Sequence, residues 1–239
     1  MSDDVSRPSD SRAEPRLKPV GYRSQLHLPL HYEPEYAYPL VIWLNRDADK
    51  PRNLSKFSSS LSLRNYVIAA PFLSSEWLER THSTQTSALL AETMNHTIAR
   101  ASQRTHIHPK RIFLVTERDT LLPTLASIPL VKHHVRGVAV VNADGEMPTP
   151  SCTSMGKTSV TPPLFFCLQE SRYRMQKEIE QPWRLYHSLG YSVGLKTITG
   201  GSGFRNSALR NIDRWIMETI TGQPALDPEQ SPGPSFCLN

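Results

Sequence analysis

Short apolar runs separated by stretches of helical spacing constrain this chain's fold more than any other feature. YPLVIWL (38–44), NYVIAA (65–70), RIFLV (111–115), VRGVAVV (135–141) and PLFFCL (163–168) are nearly continuous in apolar residues. Strands with one wet face alternate, so continuous runs mark strands covered on both faces. YSVGLKTIT (191–199) reads as a further strand, opened by a helix-ending Gly190. SALLAETMNHTIARAS (87–102) puts Leu89, Leu90, Met94, Ile98 and Ala101 on one side of a helix. MQKEIEQPWRLYHSL (175–189) reads as a helix that Pro182 kinks or breaks. NSALRNIDRWIMETI (206–220) carries an apolar stripe of Leu209, Ile212, Trp215, Ile216 and Ile220, with Asn206 as its N-cap.

Strands alternating with helices imply crossover connections and a largely parallel sheet with helices on both faces. The expected class is therefore α/β, in three layers. Ligand sites in such sheets lie outside the carboxyl ends of the strands. The loops that matter begin at Asn45, Thr116, Asn142, Gln169 and Thr199. Residues 1–20 and the proline-rich 222–239 lack apolar period and read as disordered tails around one domain, 21–221. No internal repeat is found.

Charge narrows the function classes. The net charge of +5 is spread thinly, with no basic run, so nucleic-acid binding is not expected. Cys152, Cys167 and Cys237 are widely separated, which suits neither a metal spacing nor a disulfide framework and favours a reducing setting. The segment MSDDVSRPSDSRAEPRLK carries acids and no apolar core, unlike a signal peptide. No apolar run nears the roughly 20 residues needed to cross a bilayer. A soluble, cytoplasmic protein without membrane contact is the expectation.

RIFLVTERDTLLPTLA (111–126) joins a buried strand to a helix through the bend T-E-R-D-T. YAYPLVIWLN looks like a strand that ends in W-L-H-G and opens an oxyanion loop. VRGVAVVNADGEMP is similar to the strand that follows an elbow helix. PPLFFCLQESRYR stands where a strand leads to H-G-x-x-D, and YSVGLKTITGGSGF where a G-G-H loop is found. In order and framing, residues 21–221 resemble the α/β-hydrolase superfamily, specifically small esterases of the carboxylesterase and polyester-depolymerase kind. The resemblance implies a three-layer α/β-hydrolase-like fold with a serine at the bend, a histidine base, an acid and an oxyanion loop.

Each of those positions holds the wrong residue. Thr116 and Thr120 replace the two elbow glycines, and Arg118 stands where the nucleophilic serine belongs. A guanidinium neither attacks a carbonyl nor loses its proton in water. The acid position falls on Arg172; sliding by two reaches Glu170, early in the loop. The base position falls on Ser202, and no histidine follows His187. The oxyanion loop has Asn45 and Arg46 where the family has His and Gly, and a side chain there obstructs close backbone approach. These groups act as a unit, so losing all of them predicts loss of the reaction.

Rival chemistries fare worse. Asp119 as a carboxylate nucleophile lacks small neighbours and a histidine partner; a carboxylate in a helix's first turn, facing free N–H groups, accounts for it better. SMGKTS (154–159) has G-K-T, but Ser151 stands at the first glycine and no strand leads into it. TGGSGF is too short for a dinucleotide loop. His106 and His108, in the connection THIHPKR, and His133 and His134 read as solvated loop residues at the amino ends of strands. No metal or cofactor is expected.

Charge collects instead at the strand ends: Arg46, Asp47, Glu117, Arg118, Asp119, Glu170 and Arg172. Four carboxylates against three arginines favour a salt-bridged plug. The alternative is an anion site formed by Arg118, Arg172 and Arg46 with the helix N-terminus near Thr120. The expected role is that of an inactive esterase scaffold binding a small molecule or a protein. The runner-up is an ester hydrolase with an unconventional site. Pairing with a copy or an active relative fits the resemblance, without a sequence feature that demands it.

Overall fold

The structure, a computed structural model, describes residues 23–45, 51–73, 84–143, 146–150, 161–170 and 176–222. In chain order these form β1 (Ser24–His27), β2 (Tyr38–Leu44), α1 (Pro51–Leu61), β3 (Val67–Pro71), α2 (Thr84–Arg104) and β4 (Ile107–Glu117). There follow α3 (Arg118–Ser127), β5 (Val135–Asn142), β6 (Leu164–Gln169), α4 (Gln176–Ser188), β7 (Val193–Ile198) and α5 (Phe204–Thr221). All seven strands join one sheet in the order β1-β3-β2-β4-β5-β6-β7, parallel apart from the antiparallel edge strand β1. The chain builds outward from β2 to β3, then returns to lay β4 on the other side of β2. Strand order therefore reverses at the β2/β4 boundary, the place where crevices open in parallel sheets.

The continuous apolar runs are explained by cover on both faces. Leu40, Ile42, Leu44, Leu114, Val138, Val140 and Phe166 point to one side, where Leu90, Met94, Ile98, Leu121, Leu125 and Tyr186 of α2, α3 and α4 meet them. Val41, Trp43, Ile68, Phe113, Val115 and Phe165 point to the other and pack on Leu54, Phe57 and Leu61 of α1 and Leu209, Ile212 and Trp215 of α5. Each large side chain removed from water in this way contributes about 1.5–3 kcal/mol. Trp215 lies so close to β5 that a Cβ at Gly137 would sit 2.6 Å from its ring. There the missing side chain is a packing requirement.

Three local expectations change, and a fourth is narrowed. Residues 51–61, unassigned from sequence, form α1, because Leu54, Phe57 and Leu61 share a face that Trp43 covers by stacking on Phe57 at 4.5 Å. α5 starts at Phe204 with Gly203 as N-cap, not at Asn206. Burial of Phe204 draws the helix start forward, and Asn206 Oδ1 accepts the Ser60 hydroxyl at 2.9 Å instead. Pro182 lies inside α4 without ending it. His108 belongs to strand β4, not to a connection. Gly190 does close α4, in the left-handed region at φ 87°. The two tails lie outside the described residues. Among the described residues no helix is long and apolar enough to cross a membrane.

Candidate functional site

The carboxyl ends of β2 and β4 are neighbours, with Leu44 opposite Thr116. β4 ends at Glu117, which is extended (φ −101°, ψ 170°), and α3 begins at once with Arg118. None of residues 116–120 has a positive φ; His31, elsewhere in the chain, is the non-glycine residue that does among the described residues. A nucleophile elbow is a strained turn. This bend is an ordinary helix start.

Two threonines on either side of the bend, expected from the resemblance to be glycines, hold it in this form. Thr116 and Thr120 are buried, and their hydroxyls hydrogen-bond each other. Thr120 Oγ1 also donates to the Leu44 carbonyl at 3.1 Å and accepts from the Glu117 N–H at 3.3 Å. The Glu117 side chain in turn faces the Thr120 N–H, completing a capping box. The hydroxyls thus stitch the start of α3 to both central strands, in space that glycines would leave open.

The charges around the bend are paired. Asn45, buried at the end of β2, donates its amide to Glu117 Oε1 at 2.7 Å. Arg205, in the first turn of α5, reaches the same oxygen at 3.3 Å while its guanidinium lies 5.3 Å from the Trp43 ring centroid. Arg118 pairs with Glu146 at 2.5 Å. Glu146 is itself anchored, since its carbonyl accepts the Asn142 amide. A cleft of about 230 Å³ remains, lined by Glu117, Arg118, Asp119, Asn142, Phe204 and Arg205 among others.

The remaining sequence candidates are dispersed. Glu170 is exposed; its N–H donates to the Ile198 carbonyl at 2.7 Å and its carboxylate accepts the Thr199 hydroxyl at 3.3 Å. The loops that leave β6 and β7 therefore meet at their first residues, through Glu170 and Thr199. Ser202 occupies an exposed turn before α5 and does not line the cleft. Arg46, Asp47, Arg172 and the SMGKTS stretch lie outside the described residues. Among the described residues no group of His, Cys, Asp and Glu is placed to hold a metal. Sequence reasoning missed Arg205 and Glu146. Arg205 follows GGSGF directly, so it could have been drawn into the strand-end charge set; Glu146 arrives from a loop that no motif marks.

Sheet order, cover on both faces and the strand-to-helix bend at the β2/β4 switch point together define the α/β-hydrolase fold. Solved structures agree. Thermogutta terrifontis esterase 2, phosphoramylated by tabun, superposes with a TM-score of 0.57 at 9% identity, covering 82% of this chain and 88% of its own. A Lactobacillus plantarum protein assigned as a carboxylesterase gives 0.57 at 10% identity, covering 82% and 92%. The isopeptidase AtxE2 gives 0.61 at 12% identity over 86% of this chain, which spans 39% of that larger protein. No protein-family model and no curated protein matches the sequence.

Proposed function

We infer that this chain is a catalytically silent α/β-hydrolase fold, a scaffold that binds a small molecule or a protein in place of hydrolysing an ester. The observation that carries this is the relaxed bend, with an arginine at its apex. Arg118 starts a helix in a capping box and is paired to Glu146. A guanidinium has no lone pair to offer, and nothing in the bend holds an atom under strain toward a substrate. No histidine follows His187 to serve as base. The pairing of Glu117 with Asn45 and Arg205 supports the plug over the anion receptor, because the carboxylates already neutralise the arginines they meet. Partners on this reading exclude nucleic acid and membrane, and the widely spaced cysteines favour a cytoplasmic setting.

A short-chain nitrophenyl ester assay, run beside a fluorophosphonate label, tests the inference. Turnover and labelling no higher than in a heat-denatured control are expected. Turnover well above that control, or a covalent adduct on any residue of the cleft, would establish a hydrolase with an unconventional site.

A further inference from the structure

A second concavity lies at the opposite edge of the sheet, by the amino ends of the strands. While β2 advances two residues from Tyr38 to Leu40, β4 advances five, from Ile107 to Ile112. The extra chain contains Pro109, which has no N–H to give a ladder. The Lys110 N–H closes the bulge by donating to His108 Nδ1 at 3.2 Å. The register against β5 shifts at the same place, between Ile112 and Phe113. The result is a hollow of about 470 Å³ lined by His108, Lys110, Arg111, His134 and Arg136, and floored by Thr219 and Ile220 of α5. No carboxylate lines it among the described residues.

Arg111 and Ile220 also wall an adjoining hollow of about 280 Å³, which holds Arg64, Tyr36, Met217 and a single acid, Glu33. Tyr36 is 49% exposed and Met217 38%. The Tyr36 ring is held edge-on against Tyr38 at 4.6 Å.

One occupant of this charge is already present, the carboxyl end of α5. Arg136 Nη2 donates to the Thr219 carbonyl at 3.4 Å. A helix terminus carries about half a negative charge, whereas Lys110, Arg111 and Arg136 bring three permanent positive ones. Lys110 and Arg111 form no ion pair among the described residues. Most of the charge is therefore left for a ligand. Guanidinium forks match phosphate oxygens two at a time. An exposed, held aromatic ring beside them offers a face for an organic group, and the first hollow alone falls in the range of small-molecule sites. Lys110, Arg111 and Arg136 line one concavity, whereas nucleic acids call for a stripe and membranes for a broad face.

We propose that the two hollows that share Arg111 and Ile220 bind a phosphorylated small molecule, its phosphates on Lys110, Arg111 and Arg136 and its organic part against Tyr36 and Met217. The site lies at the other end of the strands from the bend, so it stands whether or not the bend is silent.

Calorimetric titration of the full chain tests this with four probes: adenosine triphosphate, inorganic pyrophosphate, phosphatidylcholine vesicles containing phosphatidylserine, and oligouridylate. Saturable binding of adenosine triphosphate is expected, with weaker binding of pyrophosphate. A Lys110→Gln/Arg111→Gln chain should bind the nucleotide at least tenfold more weakly at unchanged unliganded Tm; if it does not fold, Lys110→Gln alone, an exposed change, makes the same comparison. Tyr36→Ala should weaken the nucleotide and leave pyrophosphate unaltered. No saturable binding at millimolar nucleotide, equal affinity in the charge variants, or tighter binding of vesicles or oligouridylate would overturn the proposal.

Discussion

The Asn45 amide donates to Glu117 Oε1 across 2.7 Å and joins the loop leaving β2 to the N-cap of α3. Arg205 competes for that oxygen from a longer 3.3 Å, with both side chains of the ion pair about half exposed. A hydrogen bond from a buried donor to a charged acceptor contributes about 1.5–3 kcal/mol, an exposed ion pair about 1 or less. Asn45→Ala should therefore lower unfolding free energy in urea by about 1–3 kcal/mol, and Arg205→Ala by about 1 kcal/mol. The opposite ranking would show that the arginine, not the asparagine, holds Glu117.

Placing the expected nucleophile back at the apex should restore nothing. Arg118→Ser creates a hydroxyl without a base and on a bend without positive φ. Fluorophosphonate labelling of the variant is expected to stay at the level of the parent chain. Labelling at position 118 would mean that the scaffold still activates a serine there.

Thr120→Val is nearly isosteric but removes the hydroxyl that serves the Leu44 carbonyl and the Glu117 N–H. With Thr120 only 2% exposed, the abandoned partners have little access to water. A loss of about 1–3 kcal/mol in chemical denaturation follows. A neutral substitution would remove the threonines from any part in shaping the bend.

Gly137→Ala drives a methyl to within 2.6 Å of the Trp215 ring, which is itself stacked on Phe165 at 5.3 Å. The ring also meets Phe113 edge-on at 6.0 Å and is only 3% exposed. Overpacking should cost about 1–3 kcal/mol, read as a lower Tm in calorimetry. An unchanged Tm would mean that α5 can shift outward without penalty.

Alkaline pH should destabilise the fold. Burial pushes the Cys167 thiol above its ordinary 9.0 and the Tyr186 phenol above 10.0; burial and then the Asp213 carboxylate, to which Tyr66 donates at 2.6 Å, do the same for Tyr66. These groups lose protons more readily once unfolded. Their contribution is complete below the ordinary values and is lost as pH rises beyond them. Urea midpoints should fall between about pH 8.5 and 11, and Cys167→Ala should reduce the slope. A flat profile would contradict the burial of all three.

The fold was legible in the chain because its strands are buried on both faces. Runs such as YPLVIWL and RIFLV need no partner to declare themselves: β2 falls on 38–44, and β4 contains 111–115 while starting earlier, at Ile107. β1 was not legible, since SQLH is short, half-buried and defined by pairing with β3. α1 was missed for a related cause: its few apolar residues acquire meaning only under Trp43.

The sequence by itself determined that the bend after β4 reads T-E-R-D-T, without serine or glycine, and that no histidine follows His187, because residue identity fixes which groups can donate, accept or attack. Only the tertiary structure decided what the substitutes do. Arg205 and Glu146 come from segments distant in sequence to neutralise Glu117 and Arg118, and the packing of β4, β5 and α5 brings Lys110, Arg111 and Arg136 to one hollow. Charge pairing depends on distance through space, which no local pattern encodes.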